Sequence, residues 1–138
     1  MCIRDSPNGA GGYQVGDGNL DEAVMGVQSI PATLTGDTTL TGAQMAIGLV
    51  VCQKASDATL TVTLATAAQL DAAIPSAKVG SSFDLTITNN NNTGSSSTVP
   101  VTAGTGITVY GSVTVPRFGA HTYRLVKTGD AAWSAFLK

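Results

Sequence analysis

The sequence predicts an all-β chain: a single β-sandwich with jelly-roll-like connections and one or two short helical turns. Three observations carry the prediction. Apolar and polar residues alternate at period two through Thr59-Leu60-Thr61-Val62-Thr63-Leu64 and again through Ser82-Phe83-Asp84-Leu85-Thr86-Ile87-Thr88, the pattern of half-buried strands. Short strand signals separated by glycine turns fill the last third, as in a sandwich or barrel. Between the two alternating runs, Thr66-Ala67-Ala68-Gln69 has capping-box spacing, in which a hydroxyl and a glutamine satisfy the first free N–H groups of a helix.

Three regions are expected along the chain: a foreign or disordered leader at 1–10, a glycine-rich arm at 11–30, and the sandwich domain at 31–138. Met1-Cys2-Ile3-Arg4-Asp5-Ser6 resembles translated sequencing-adapter read-through at the ends of some metagenomic genes, and it has no apolar core of a secretory signal. It is expected to be foreign to the fold, with the natural start of the protein missing. The arm, Gly11-Gly12-Tyr13-Gln14-Val15-Gly16-Asp17-Gly18-Asn19-Leu20, is dense in glycine and costly to order. A partner or a neighbouring subunit is expected to fix it. Its Asp17-x-Asn19-x-Asp21 spacing invites a calcium reading. An EF-hand loop needs glycine at its sixth position and glutamate at its twelfth, where this chain has Glu22 and Gln28.

Asp21 to Val27 reads as a helical turn or a short strand. Ala32 to Leu34 reads as a strand, Gly36-Asp37 as a turn, and Thr38 to Leu40 as the next strand. Thr41-Gly42-Ala43-Gln44 repeats the capping-box spacing, so a helical turn over 42–46 is expected to feed a strand from Ile47 to Gln53. The device recurs without making an internal repeat of useful length. In the central stretch Leu60, Val62 and Leu64 should face inward. A helix from Ala67 to about Ile74 should end at Pro75, and Phe83, Leu85 and Ile87 should again face the core. Asn89 to Ser97 is a polar low-complexity run, expected to be an exposed, mobile loop. Later strands are expected at 98–103, 107–110, 113–115, 122–126 and 133–137. Turns fall at Gly104-Thr105-Gly106, Gly111-Ser112, Phe118-Gly119-Ala120-His121 and Thr128-Gly129-Asp130. In the last strand Trp133 and Leu137 share one face and Phe136 takes the other, so it is either buried on both sides or lies at a subunit contact.

Composition narrows the function classes. The 138 residues suffice for one domain. Charged residues are 12% of the chain, about half of the ~25% usual in soluble domains. No apolar run approaches the ~18 residues of a membrane helix, and the longest, Met45 to Cys52, is strand-length and holds Gly48. The low charge therefore reflects a surface of Thr, Ser, Asn and Gly. A net charge of −2 with scattered Lys and Arg argues against nucleic acid. Of the two cysteines, Cys2 lies in the leader and Cys52 closes an apolar run as a small buried hydrophobe.

No catalytic constellation is expected, and the chain is read as non-enzymatic with no cofactor and no metal. The single histidine, His121, falls in a predicted turn and reads as solvated. No nucleophile elbow, phosphate loop or dinucleotide fingerprint is present. Asp71 is expected on the polar side of the short helix and Asp84 outward on its strand, too isolated for a carboxylate pair. Tyr13, Tyr110 and Tyr123 are the tyrosines available for stacking, with Tyr123 assigned a structural place.

The residues also resemble a family. The arm from Gly11 to Asn19, the run Leu40-Thr41-Gly42-Ala43-Gln44-Met45 into an apolar strand, Leu60 to Leu64, and Ala68-Gln69-Leu70-Asp71-Ala72-Ala73-Ile74-Pro75 are similar to small virion structural proteins of tailed bacteriophages. So are Ala77-Lys78-Val79-Gly80-Ser81-Ser82-Phe83-Asp84-Leu85-Thr86-Ile87, Ala103-Gly104-Thr105-Gly106, Tyr123 to Thr128 and the terminal aromatic strand. The resemblance spans about Gly11 to Lys138. It implies a capsid-decoration or head-fibre component in the virion, a homo-oligomer with a trimer favoured, bound to the capsid or another virion protein. It implies no catalytic residue, and no nucleic-acid or membrane partner. Tyr13, Gln14, Asp17 and Asn19 on the arm, with Trp133 and Phe136 on the last strand, are the expected capsid or subunit contacts. The competing reading is a glycan- or host-surface-binding β-sandwich module, an adsorption protein or adhesin, which would need exposed aromatics and amides in a chain only 5% aromatic.

Overall fold

The computed structural model describes residues 26–54, 59–91 and 97–138. The arm residues Tyr13, Gln14, Asp17 and Asn19, and the leader with Cys2, lie outside them. Of the stretch read as a helical turn or short strand, residues 26 and 27 have neither form.

Among the described residues ten strands and two short helices follow one another: β1 (Ala32–Leu34), β2 (Thr38–Thr39), α1 (Gly42–Ile47), β3 (Leu49–Cys52), β4 (Val62–Thr63), α2 (Ala67–Ala73), β5 (Ser82–Asn89), β6 (Val99–Thr102), β7 (Ile107–Tyr110), β8 (Thr114–Val115), β9 (Ala120–Gly129) and β10 (Ala132–Leu137). They form two sheets, a six-stranded one ordered β1-β3-β5-β9-β10-β7 and a four-stranded one ordered β2-β4-β6-β8. From β1 to β9 each strand lies in the sheet opposite its predecessor. A chain that crosses at every step returns to a sheet running the same way, which makes neighbours parallel. Five of the eight strand pairings are accordingly parallel, and three are antiparallel. The expected mainly-β chain is thus present, but its connections are not the antiparallel Greek-key returns of a jelly roll. Period-two alternation marks a strand without recording the direction of its neighbour, which is why the sequence reading missed this.

Both capping boxes form. Thr41 Oγ1 accepts from Gln44 N–H at 3.1 Å while Gln44 Oε1 accepts from Thr41 N–H at 2.9 Å. Thr66 and Gln69 repeat the exchange at 3.2 and 2.9 Å. Each box ends one crossing of the coil and starts a helix that returns the chain to the six-stranded sheet. The two helices pack together at Gly42, where a β-carbon would run into the carbonyl oxygen of Gln69. The expected helix boundaries hold to about a residue. The second helix, expected to turn Leu70, Ala73 and Ile74 to one side, instead buries Ala67 and Leu70, leaves Ile74 half-buried and exposes Ala73. Gly48 ends α1 at φ 86°, a conformation that glycine adopts without steric cost.

One hydrophobic cluster draws on both sheets and both helices. Leu60, Val62 and Leu64 are buried in it together with Val99, Val101 and Val115 of the four-stranded sheet and Val50, Leu85, Ile87, Tyr123, Leu125 and Trp133 of the six-stranded one. The inward set predicted from alternation is therefore buried, with Phe83 partly so and set edge-on to Trp133 at 5.8 Å. Cys52 is fully buried among these side chains, and burial pushes its thiol up to about 11. Asp37, in the predicted turn, accepts from Thr61 N–H at 2.8 Å and so joins two crossings of the coil.

Two loop expectations are corrected. The polar run was expected to bury nothing, yet Asn89, Asn91 and Ser97 are fully buried. Asn89 Nδ2 donates to the carbonyls of Ser97 and Val115, its Oδ1 accepts from Asn91 N–H, and Asn91 Oδ1 accepts from Lys54 N–H. Short amides thus satisfy backbone groups where the loop enters and leaves the sheet. Residues 92–96 lie outside the described chain. His121 sits within β9 rather than in a turn, half-buried, with Nδ1 3.4 Å from the Tyr123 hydroxyl.

Candidate functional site

The outer face of the six-stranded sheet carries a row of exposed charged and aromatic side chains. Cross-strand register sets four side chains in one row: Asp84 on β5 beside Arg124 on β9, Arg124 beside Phe136 on β10, and Phe136 beside Tyr110 on β7. Strand spacing of ~4.8 Å brings such neighbours into contact. The Tyr110 and Phe136 rings stack with centroids 5.0 Å apart and planes 7° from parallel. They remain 52% and 42% exposed although both are large and apolar.

At the other end of the row Asp84 gathers two cations. Its Oδ1 accepts from Arg124 Nε at 3.0 Å and its Oδ2 from Lys138 Nζ at 3.0 Å. The Arg124 hydrogen bond first, and then that of Lys138, hold the carboxyl down at about 2. Asp84 faces outward as expected, and the cluster has one positive charge in excess. Thr86 and Thr122 add a hydroxyl pair at 2.9 Å on the same face. The row offers stacking, hydrogen bonding and ion pairing to a partner surface.

A second polar cluster has a different place. Asp71, expected on the polar side of the short helix, reaches from α2 to the β9–β10 hairpin. It accepts from Lys127 Nζ at 2.8 Å, Trp133 Nε1 at 2.8 Å and Ala131 N–H at 2.9 Å. These bonds, led by that of Lys127, lower its carboxyl to about 2. The cluster joins elements far apart in sequence and serves the fold. Tyr123 is structural as expected: it is buried, its hydroxyl donates to the Ser112 carbonyl at 2.8 Å, and burial raises its pKa. Among the described residues no three His, Cys, Asp or Glu side chains gather as metal ligands, and no helix is long and apolar enough to cross a membrane.

The two contact residues expected on the last strand separate. Phe136 is exposed on the outer face. Trp133 is 2% exposed, packed against Phe83 and bonded to Asp71, so its surface is spent inside the chain and is corrected from subunit contact to core. Parity alone left both faces of β10 apolar. The difference is that one face meets the opposite sheet and the other does not. The Tyr110 partner of Phe136 was not legible, because the parallel pairing of β7 with β10 leaves no local mark. Their shared outward parity is the signal that a known register would have made usable.

Comparisons with protein-family models, with curated proteins and with solved structures returned no match to this chain.

Proposed function

We propose that this chain is a non-enzymatic structural protein of a tailed-bacteriophage virion, a capsid-decoration or head-fibre component that assembles as a symmetric oligomer, with a trimer favoured. Its partners are copies of itself and the capsid or another virion protein, and its two sheets work as one β-sandwich body. The observation that carries the reading is apolar surface left at two margins of one sheet. Val27 and Ile30, 102% and 90% exposed, lead into β1 at one margin. The stacked Tyr110 and Phe136 stand at the other. Large apolar side chains grouped on the surface of a chain with a complete core of its own fit a contact with a neighbour. The low charge and the hydroxyl-rich strands fit the same neutral packing surface, and the resemblance supplies the virion setting. Light scattering over a dilution series tests the oligomer, and binding to purified phage capsids tests the partner.

A second reading, a glycan- or host-surface-binding module, is favoured by one feature. The Tyr110–Phe136 pair lies in one row with Arg124 and Asp84, a combination that could stack on a sugar ring and hydrogen-bond its hydroxyls. A glycan screen with the wild type and with Tyr110→Ala checks it. Binding that is lost in the variant would favour this reading over the first.

A further inference from the structure

The two margins of the six-stranded sheet match each other as hydrogen-bonding edges. The sheet ends at β1 on one side and β7 on the other. β1, β3 and β5 run parallel. Two antiparallel steps through β9 bring β10 back to the direction of β5, and β7 is parallel to β10. So β1 and β7 point the same way.

The groups on the open side of each edge follow from the ladder on the closed side. Trp133 N–H donates to the Gly106 carbonyl, so with the β7–β10 register Gly106, Thr108 and Tyr110 turn their backbone groups toward β10. The Ile107 carbonyl and the N–H and carbonyl of Val109 then face outward, while Ile107 N–H is bonded to Gly104. Gln53 N–H donates to the Leu34 carbonyl, so Leu34 and Ala32 turn toward β3 and the N–H and carbonyl of Thr33 face outward. In a parallel ladder one residue bonds to two residues of the neighbouring strand, spaced two apart. Thr33 N–H fits the Ile107 carbonyl, and Val109 N–H fits the Thr33 carbonyl.

The pleat agrees with this register. It sets exposed Thr33 beside exposed Thr108 on the outer face, and Leu34 beside Val109 and Ala32 beside Ile107 on the core side. A slip of one residue would break that match. Among the described residues neither edge strand carries a charge or a proline within it: β1, which follows Pro31, reads Ala-Thr-Leu and β7 reads Ile-Thr-Val-Tyr. The edges of the other sheet, β2 and β8, are two residues each, a length that itself discourages pairing.

We propose that β7 of one copy receives β1 of a second copy as a parallel strand, head to tail, so that the six-stranded sheets run on from subunit to subunit around a three-fold axis. The contact is heterologous, which forms a ring where the rotation between copies closes and an open filament where it does not; a trimer, favoured above, is the closed ring. This inference rests on the oligomeric reading above and names its interface. Within one copy Thr33 and Thr108 lie on opposite edges of the sheet, five strand spacings or about 24 Å apart, so charges placed there meet only between copies.

The test compares solution masses of the wild type, a Thr33→Lys/Thr108→Lys variant and a Thr33→Glu/Thr108→Lys variant, with thermal unfolding confirming that each is folded. The expected result is a trimeric wild type, a threefold drop in mass for the double-lysine variant, and recovery of the trimer in the glutamate–lysine variant. A double-lysine variant that stays trimeric overturns this interface and leaves the oligomeric reading standing. Failure of the glutamate–lysine variant to recover the trimer also overturns the interface. A monomeric wild type overturns both.

Discussion

Asp71 Oδ1 accepts the indole Nε1–H of Trp133 at 2.8 Å, and through this bond the second helix is fastened to the last strand. Lys127 and the Ala131 backbone N–H complete the same carboxylate. The folded-state pKa of Asp71 is about 2 against an ordinary 3.8. A depressed carboxyl contributes stability above its unfolded pKa and loses it as pH falls through the folded one. Asp71→Asn should therefore lower the melting temperature at pH 7, and should flatten its decline between about pH 4 and pH 2 relative to wild type. Asp84→Asn, at a more exposed site, should cost less at pH 7. Thermal melts across that window check both.

The two threonine caps give a second prediction. Thr41→Ala and Thr66→Ala each remove a hydroxyl that satisfies a first-turn N–H, a loss of about 1 kcal/mol apiece. Serine at either position should restore most of it. Urea melts of the four variants would show this, with an unchanged slope confirming that only stability moved.

How the sequence could be read shows in these same residues. Both capping boxes, the inward Leu60-Val62-Leu64 set and the buried Cys52 were legible because each is a local pattern: a fixed spacing, an alternation, the end of an apolar run. The parallel pairings, the Asp71 cluster and the Tyr110–Phe136 stack were not. Each depends on which strand returns beside which, and that is decided by packing between segments far apart in the chain. The polar run at 89–97 was misread for a related reason. Composition marked it as solvated, while Asn89 and Asn91 are buried and their side-chain amides bond to backbone groups of Ser97, Val115, Asn91 and Lys54.

Close approach between helices and coil gives a third prediction. A β-carbon at Gly42 would meet the Gln69 carbonyl, and one at Gly104 would meet the carbonyls of Leu64 and Ala65. These neighbours are backbone atoms that cannot swing aside. Gly42→Ala and Gly104→Ala should each destabilise by about 1–3 kcal/mol, although alanine is the better helix former at position 42. Gly36→Ala, where the same atom meets open space, is the control and should change little in denaturant melts.

Burial predicts the chemistry of Cys52. With its thiol raised to about 11 and no exposed surface, it should react with a disulfide reagent at pH 8 only as the protein unfolds. Labelling should keep pace with global unfolding in urea. Fast labelling of Cys52 in native buffer would contradict its place in the core.

The most direct measurement of the central claim, that this chain is an assembling structural protein, is its solution mass by light scattering over a dilution series of the full chain. The account predicts a trimer that persists on dilution, with Val27, Ile30, Tyr110 and Phe136 protected in the assembly. A clean monomer at every concentration would contradict it, and would turn attention to the aromatic row as a surface for glycans.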